Sequence, residues 1–277
     1  MINITIFCDG GLGNRLGTLI GGLLSAEKIG KSPIICWPAN TWCGCLFSDI
    51  FELNYEVINY NINELFRNNQ NKIFLIHENQ TNFKLNKVFS HTLENLEILK
   101  SSDEEIIYYH NGIPNYFSKE DILIKLGSLK IQKYILDIFY NFIEKEKIDS
   151  DTIGIHFRKT DANGKLNEFA ILDEIKANSD KKYFICSDDE QTENKFRSLS
   201  NVKIFQKTQY VEKLISGDWN DLVVDNEGRR FNYNVNRKKE SVIQGFIDLL
   251  ILSRTSMRGD EQSTFYNLAK LYSNINF

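Results

Sequence analysis

The chain opens with an apolar segment, a glycine-rich turn, a leucine-rich segment and a second apolar segment in close succession. Residues 2–7 are rich in isoleucine, as buried strands are. The turn over 9–15 contains three glycines, and leucine then recurs at helical spacing until Gly30, a typical helix stop. A further strand is predicted over 34–37. Strand, helix and strand in this order form a βαβ unit, which predicts an α/β protein with parallel strands.

The alternation of strands and helices continues along the chain, and 277 residues suffice for two domains. A charged stretch over 144–151 follows a long amphipathic segment and predicts a domain boundary. We therefore expect an N-terminal Rossmann-like domain over 1–148 and a C-terminal Rossmann-like domain over 149–277. Residues 212–240 are polar and predict a loop or an insertion. Further strands are predicted at 73–76, 106–109, 152–157, 183–186 and 202–205, and helices at 131–143, at 241–253 and after Gln262.

Charge and hydropathy limit the partners of the protein. A formal net charge of -4 and a sequence pI of about 5.7 give no electrostatic footprint for nucleic acid. Basic side chains cluster between 229 and 239, which is also typical of a solvated loop. The start of the chain lacks a signal-peptide pattern, and there is no apolar run of about 18 residues. We expect a cytoplasmic protein, with peripheral attachment at the inner membrane as an alternative.

Cysteine usage fits the same compartment. The five cysteines are an odd number and lie mostly in apolar segments, which indicates reduced thiols rather than a disulfide framework. Cys43 and Cys45 are close in sequence, but a second pair of ligands and a neighbouring histidine are missing. No metal site is predicted there.

The glycine-rich turn is the first candidate binding element. A helix N-terminus offers unpaired N–H groups and a positive dipole end, which suit a phosphate or a sugar hydroxyl. Gly13, Asn14 and Arg15 are the candidate residues. The turn nearly matches the dinucleotide fingerprint, but the third glycine position falls on Leu16. The structural alternative is a tight turn in which Asn14 caps the helix.

A second candidate element over 156–161 ends the predicted strand 152–157. Ligands of α/β proteins bind at the carboxyl edge of the sheet, and the strand period of two directs His156 and Arg158 to the same side. Arginine offers a fork of donors that matches phosphate oxygens, and Asp161 could orient that fork or contact a sugar. A buried Arg–Asp pair with a purely structural role is the alternative.

Three further groups of polar residues follow in the second half. Ser187–Glu190 could hold Mg²⁺, but acidic residues after a strand more often cap a helix, and we predict capping without a metal. Asp248 lies in an apolar helix and needs a partner, which a guanine base could supply through its N–H groups. Ser263 and Thr264 begin a helix, where they could bind phosphate or simply act as caps.

These elements, in this order, resemble the superfamily of α1,6-, nodulation-factor and protein O-fucosyltransferases. The resemblance rests on GGLGNRLG near the start, on His-x-Arg-x-x-Asp at 156–161, and on the helix aspartate and the Ser-Thr-Phe element at 263–265. It is weak across 60–145 and 207–240. It implies a GT-B-like fold, in which two Rossmann-like domains face each other across a cleft. The N-terminal domain would lie on the acceptor side, and the C-terminal domain would bind the donor nucleotide.

The resemblance also implies roles for individual residues. Arg158 would bind the β-phosphate, His156 would support the nucleotide, and Asp248 would read the guanine. Ser263, Thr264 and Phe265 would hold the diphosphate and the base. Gly13, Asn14 and Arg15 would face the donor or the incoming acceptor.

The implied reaction is an inverting transfer of L-fucose from GDP-fucose to a glycan acceptor. Members usually need no metal or other cofactor. The catalytic candidates are Arg158, for the leaving diphosphate, and Glu168 as general base, with Asp161 as the fallback. The expected context is bacterial surface polysaccharide synthesis, where lipid-linked glycans are among the candidate acceptors.

Three alternatives remain open at this point. Another GDP-sugar could be the donor. A dinucleotide-binding oxidoreductase would need an acidic residue at the end of the second strand, and 37–40 contains none. A nucleotide-sugar-binding subunit without catalysis would keep the fold, and the presence of Arg158, Asp161 and Asp248 argues for activity instead.

Overall fold

The structure is a computed structural model in which residues 2–69, 71–76, 85–110, 112–160, 166–224, 228, 230–231 and 233–277 are described. The chain forms two compact units. The first consists of Met1–Asn40 and Leu46–Lys130, and the second of Thr41–Cys45 and Ile131–Phe277. Each unit contains a parallel sheet with helices, so the prediction of an α/β protein is confirmed.

The first unit contains a six-stranded parallel sheet with the strand order β3-β2-β1-β6-β4-β5. Its central strand is fully buried at Ile4 and Ile6, which explains its continuous apolar sequence. The strand order reverses next to β1, which is where ligands of such sheets bind. The elements are β1 (Asn3–Phe7), α1 (Leu12–Ile29), β2 (Ser32–Cys36), α2 (Phe47–Ile50), β3 (Glu56–Ile58), α3 (Ile62–Asn68), β4 (Ile73–Ile76), β5 (Lys87–Ser90), α4 (Leu93–Lys100), β6 (Ile106–Tyr109) and α5 (Lys119–Ser128).

The second unit contains a four-stranded parallel sheet with the strand order β12-β7-β8-β9 and a two-stranded antiparallel ribbon, β10-β11. The helix Lys239–Leu252 packs on β7 and β8, and the last helix, Thr264–Tyr272, packs on it. The elements are α6 (Lys133–Glu146), β7 (Ile153–Phe157), α7 (Glu168–Ala177), β8 (Tyr183–Ser187), α8 (Glu190–Asn194), β9 (Val202–Lys203), β10 (Val223–Val224), β11 (Arg230–Phe231), α9 (Lys239–Leu252), β12 (Ser256–Arg258) and α10 (Thr264–Tyr272).

The division between the units falls between Lys130 and Ile131, earlier than the boundary at 148/149 that the charged stretch suggested. The reason is α6, which precedes the charged stretch in sequence but packs against α9 of the second unit. Its buried residues Ile135 and Phe139 contribute to the core of that unit. An amphipathic pattern reveals that a helix packs on a core, but not on which one.

Several elements are absent from the sequence predictions. The first unit has short strands β3 and β5 and helices α3, α4 and α5 in the region where the sequence pattern is weak. Strand β12 is a three-residue edge strand beside β7. Within the described residues, no helix is both long and apolar enough to cross a membrane.

Candidate functional site

The carboxyl edge of β7 brings together several of the predicted donor-binding residues. His156 is buried near the end of β7, and its ring stacks on Phe265 with a centroid distance of 4.3 Å and an interplanar angle of 23°. Arg158 follows β7 directly and is half-buried. Phe265 lies in the first turn of α10, so one helix N-terminus meets the strand end that carries the histidine. The arrangement offers a ring surface for a base and N–H groups for a phosphate.

Ser263 and Thr264 begin α10 as the sequence indicates. Ser263 is the N-cap residue, and its buried hydroxyl accepts a hydrogen bond from the backbone N–H of Tyr266 at 3.5 Å. Thr264 is exposed. Capping therefore accounts for Ser263 in this structure, whereas Thr264 is exposed to solvent.

The two aspartates after β8 hold the backbone around this edge. Asp189 caps α8 by accepting from the backbone N–H of Thr192 at 2.8 Å, so capping is confirmed there. Asp188 accepts from the backbone N–H of Lys159 at 2.8 Å and from the Thr160 hydroxyl at 2.5 Å. It thereby fixes the turn immediately after Arg158, a role that the sequence does not reveal. No group of three or more metal-ligating side chains is found in the described part of the chain.

Asp161, the other predicted partner of Arg158, lies outside the described residues, as does the chain up to residue 165. Its proposed contact with the guanidinium or with a sugar stays a prediction.

A buried ionic cluster lies beside the carboxyl end of β8. The ammonium group of Lys207 donates to Asp248 Oδ2 at 2.6 Å, to Glu193 Oε1 at 2.5 Å and to the carbonyl oxygen of Ser187 at 2.7 Å. Tyr210 donates its hydroxyl to Glu193 Oε2 at 2.5 Å. All three donors of the lysine are thus used. The protein partner of Asp248 is therefore Lys207, which the sequence analysis missed.

The second oxygen of Asp248 has a different environment. Asp248 is 2% exposed, and its Oδ1 atom has no hydrogen-bond partner among the described residues. Burial raises the pKa of Asp248 to about 7, and the neighbouring Glu193 carboxylate contributes in the same direction. A buried acceptor without a donor is costly. A ligand that supplies N–H groups to Oδ1 would remove that cost.

Glu168, the first candidate for a general base, is held in ion pairs. Its buried carboxylate contacts the ammonium groups of both Lys159 and Lys195. Burial alone would raise its pKa, but the hydrogen bonds and charges of the two lysines outweigh this effect and lower the pKa. A general base works best when its pKa lies near the working pH. This environment is that of a structural carboxylate.

We expect Glu168→Gln to retain catalytic activity within about one order of magnitude, because removing a true general base costs about 10²- to 10⁴-fold. The measurement is steady-state kcat, with Asp173→Asn on the same helix as the control. A loss of 10²-fold or more confined to the Glu168 variant would restore its assignment as the base.

In the first unit the glycine-rich turn ends earlier than the sequence suggests. Gly10 has a φ of 81°, which favours glycine, and Gly11 is the N-cap, so α1 begins at Leu12. Asn14 therefore lies in the first helical turn, and the interpretation of Asn14 as the cap is wrong. Gly13 and Asn14 are half-buried, and the N–H groups of this first turn remain suited to an anion or a hydroxyl.

Arg15 does not present its guanidinium to solvent. The side chain is fully buried and donates to the carbonyl oxygens of Gly10 and Pro38, both at 2.7 Å, and to Asn40 Oδ1 at 2.9 Å. The guanidinium carbon lies 5.2 Å from the ring centroid of Trp37. Arg15 ties the turn after β1 to the end of β2, so the expectation that it faces a donor or an acceptor is corrected. Its charge gave no signal of burial.

Two histidines at the same edge of this sheet were also missed. His91 follows β5 and hydrogen-bonds with the hydroxyls of Ser25 at 3.0 Å and Tyr116 at 3.0 Å. His110 follows β6, and its Nδ1 lies 3.2 Å from the carbonyl oxygen of Gly112. The only sequence signal is that each histidine comes directly after an apolar strand.

The sequence comparisons give no match. No family model matches the chain, and no curated protein matches it.

Solved structures do match over almost the whole chain. The NodZ alpha-1,6-fucosyltransferase soaked with GDP-fucose has a TM-score of 0.59 at 16% identity, over 98% of this chain and 92% of that one. The fucosyltransferase NodZ from Bradyrhizobium has a TM-score of 0.57 at 15% identity, over 97% and 92%. POFUT1 in complex with GDP has a TM-score of 0.52 at 12% identity, over 99% and 95%.

These likenesses define the class of the fold. The chain has the GT-B fold of the fucosyltransferases NodZ and POFUT1. The fold predicted from the sequence resemblance is thus confirmed, and the superfamily named there is the one in which the structural neighbours lie.

Proposed function

We propose that the chain is a glycosyltransferase that moves a sugar from a GDP-sugar to a glycan, with GDP-fucose as the donor. The observation that carries this proposal concerns the carboxyl edge of the four-stranded sheet in the second unit. This edge holds His156 and Arg158 together with Phe265 at the N-terminus of α10. A base-sized ring surface and N–H groups suited to an anion occur there together, within a fold whose solved structural neighbours contain GDP or GDP-fucose.

The diphosphate would be bound by Arg158 and by α10. The guanidinium fork matches two phosphate oxygens, and its position is supported by Asp188, which fixes the following turn. The first N–H groups of α10 carry partial positive charge and have no intrahelical partner. Phe265 and His156 would support the nucleotide from the side.

Guanine specificity would come from Asp248. Its Oδ1 atom has no donor among the residues that the structure describes, and guanine has an N1–H and an exocyclic amine that could bind a carboxylate. Lys207 would hold the other oxygen and keep the carboxylate in place. Uracil offers only one ring N–H, and adenine has no N1–H, so neither base would make both hydrogen bonds.

The reaction would proceed by a single displacement with inversion at the anomeric carbon. Negative charge develops on GDP as the bond to the sugar breaks, and Arg158 with the amides of α10 would stabilise that charge. The protein groups supply this charge stabilisation, and we propose that neither a metal nor another cofactor is needed. Asp161 is the remaining candidate for deprotonating the acceptor.

The acceptor would be a glycan of a bacterial surface polysaccharide, with lipid-linked intermediates included. This part of the proposal rests on the sequence resemblance and on the polar segment 212–240. The protein would act in the cytoplasm or at the inner face of the membrane.

A dinucleotide-binding oxidoreductase is supported less well. It would need a ribose-binding acidic residue after β2, and residues 37–40 contain none. The buried guanidinium of Arg15 reaches the residues after β2 instead, where it donates hydrogen bonds to the carbonyl oxygen of Pro38 and to Asn40 Oδ1.

Donor turnover in the presence of EDTA tests the proposed function. The purified protein is incubated with GDP-fucose, GDP-mannose or UDP-glucose together with a mixture of oligosaccharides, and release of the nucleoside diphosphate is followed. We expect release of GDP, fastest from GDP-fucose, at a rate that excess Mg²⁺ does not raise. Turnover of UDP-glucose alone, or no turnover of any donor, would contradict the proposal.

A further inference from the structure

The described residues of the segment 212–240, which the sequence predicts as a polar loop, contribute to an aromatic surface. We call Trp42, Phe231, Tyr233 and Arg237 the Trp42 cluster. The Trp42 ring lies 4.6 Å from Phe231 and 5.6 Å from Tyr233, between ring centroids, and the guanidinium of Arg237 lies 5.9 Å from its centroid. All four residues belong to the second unit.

Backbone hydrogen bonds fix the position of Trp42. The backbone N–H of Arg237 donates to the carbonyl oxygen of Thr41 at 2.8 Å, and that of Gly44 donates to the carbonyl oxygen of Arg237 at 2.8 Å. A Cβ atom at Gly44 would lie 2.6 Å from that same carbonyl oxygen, so only glycine permits this close approach. Trp42 is thereby held on both sides.

Asn234 fixes the other half of the cluster. It is fully buried, and its side chain accepts from the backbone N–H of Ile215 at 2.9 Å and donates to the carbonyl oxygens of Ile215 at 2.8 Å and Asp218 at 3.2 Å. Tyr233 is the preceding residue, and Phe231 belongs to the antiparallel ribbon. The segment thus uses buried polar contacts to hold aromatic rings that are not themselves buried.

The rings are only partly covered by protein. Tyr233 is 42% exposed, and Trp42, Phe231 and Arg237 are half-buried. Leaving aromatic surface in water is unfavourable, and rings fixed in advance lose little entropy when they bind a ligand. Such a surface points to a ligand that has an apolar face and polar edges.

A pyranose ring has this chemistry. Its C–H groups can lie on the negative face of an aromatic ring, while its hydroxyls bind donors such as guanidinium. A membrane surface fits less well, because Lys238, which follows Arg237, is already paired with Glu212 at 2.8 Å.

We propose that the Trp42 cluster is an acceptor subsite that binds one pyranose unit of a glycan through its aromatic rings and Arg237. The assignment of the glycan as acceptor rests on the proposed function. The binding of a sugar at the Trp42 cluster is independent of the proposed function, because it can be measured without the donor.

Saturation-transfer NMR with neutral and acidic oligosaccharides is the test, applied to the wild type, Trp42→Ala and Tyr233→Ala. We expect ring protons of an oligosaccharide to receive saturation, and each variant to bind it at least about tenfold more weakly. Tyr134→Ala removes a similarly exposed ring of α6 and serves as the control with wild-type affinity. Tyr233→Ala should keep the melting temperature of the wild type, which separates lost binding from lost folding.

The outcomes distinguish this proposal from the proposed function. Equal sugar binding by wild type and both variants would overturn the acceptor subsite, as would no sugar binding by the wild type. Binding to anionic phospholipid vesicles that Trp42→Ala abolishes would also overturn it in favour of a membrane contact. If the Trp42 cluster binds sugar but the protein does not bind GDP, the sugar-binding site would stand and the proposed transferase function would be contradicted.

Discussion

Replacing Lys207 with methionine is expected to destabilise the folded protein by about 3–5 kcal/mol, the usual cost of removing one partner from a buried ion pair. Lys207 donates to two buried carboxylates, Asp248 and Glu193. Burial lowers the pKa of Lys207, but the two carboxylates raise it by more, so the lysine is charged. Without it, two like charges would face each other in a medium of low polarity. The free energy of unfolding in guanidinium chloride measures the effect.

The surface pair of Lys133 and Asp137 provides the control. Its atoms approach to 2.7 Å, but Lys133 is 84% exposed, so Lys133→Met should change the free energy of unfolding by no more than about 0.5 kcal/mol. If both substitutions changed the free energy of unfolding by equally small amounts, Lys207 and its two carboxylates would be solvated in the protein, contrary to this account.

The cost of Lys207→Met should also decrease at lower pH. The folded-state pKa of Asp248, about 7, lies above its ordinary value of 3.8. Its contribution to stability is therefore unfavourable above about pH 7 and disappears as the pH falls towards 4. Protonation removes one of the two unpaired charges of the variant. A destabilisation that is constant between pH 7.5 and pH 5 would contradict this account of the cluster.

Replacing Arg158 with alanine is expected to lower kcat/KM for the GDP-sugar by about 10²- to 10³-fold, the range observed when one donor to a developing anion is removed. The side chain is half-buried at the end of β7, where the sheet itself is held by β8 and β12. The fold should therefore tolerate the change. Steady-state kinetics with GDP-fucose and an unchanged melting temperature would together support the role.

Arg158→Lys separates charge from geometry. Lysine keeps the positive charge but loses the fork that binds two oxygens, so its activity should lie between those of wild type and Arg158→Ala. Wild-type kinetics for Arg158→Ala would remove this residue from the active site and leave α10 as the main anion-binding element.

The sequence predicted the strands best where apolar runs are short and bounded. The strands at 73–76 and 106–109 have the predicted bounds, and β7 and β8 differ by one residue. Period and polarity are local properties, and they are sufficient for buried parallel strands. The start of α1 was placed too late because glycine has a low helix propensity and asparagine is a common cap.

Contacts between distant residues explain the remaining differences. Lys207 and Asp248 are 41 residues apart, and nothing in the sequence of either segment indicates that they pair. The family resemblance predicted that Arg15 faces a ligand, yet two carbonyl oxygens and Asn40 accept hydrogen bonds from its buried guanidinium. Full burial is rare for arginine and depends on such distant partners. The Trp42 cluster joins residues of the segment 41–45 to the ribbon, so its rings were not recognised as one surface.

Calorimetric titration of the EDTA-treated protein with GDP, GDP-fucose, UDP and NAD tests the central claim that the second unit is a site for GDP-sugars. We predict that GDP and GDP-fucose bind without added metal, and that UDP and NAD bind at least about tenfold more weakly, since neither offers the N–H groups of guanine to Asp248. Binding of NAD in preference to GDP, or no discrimination between GDP and UDP, would contradict the account.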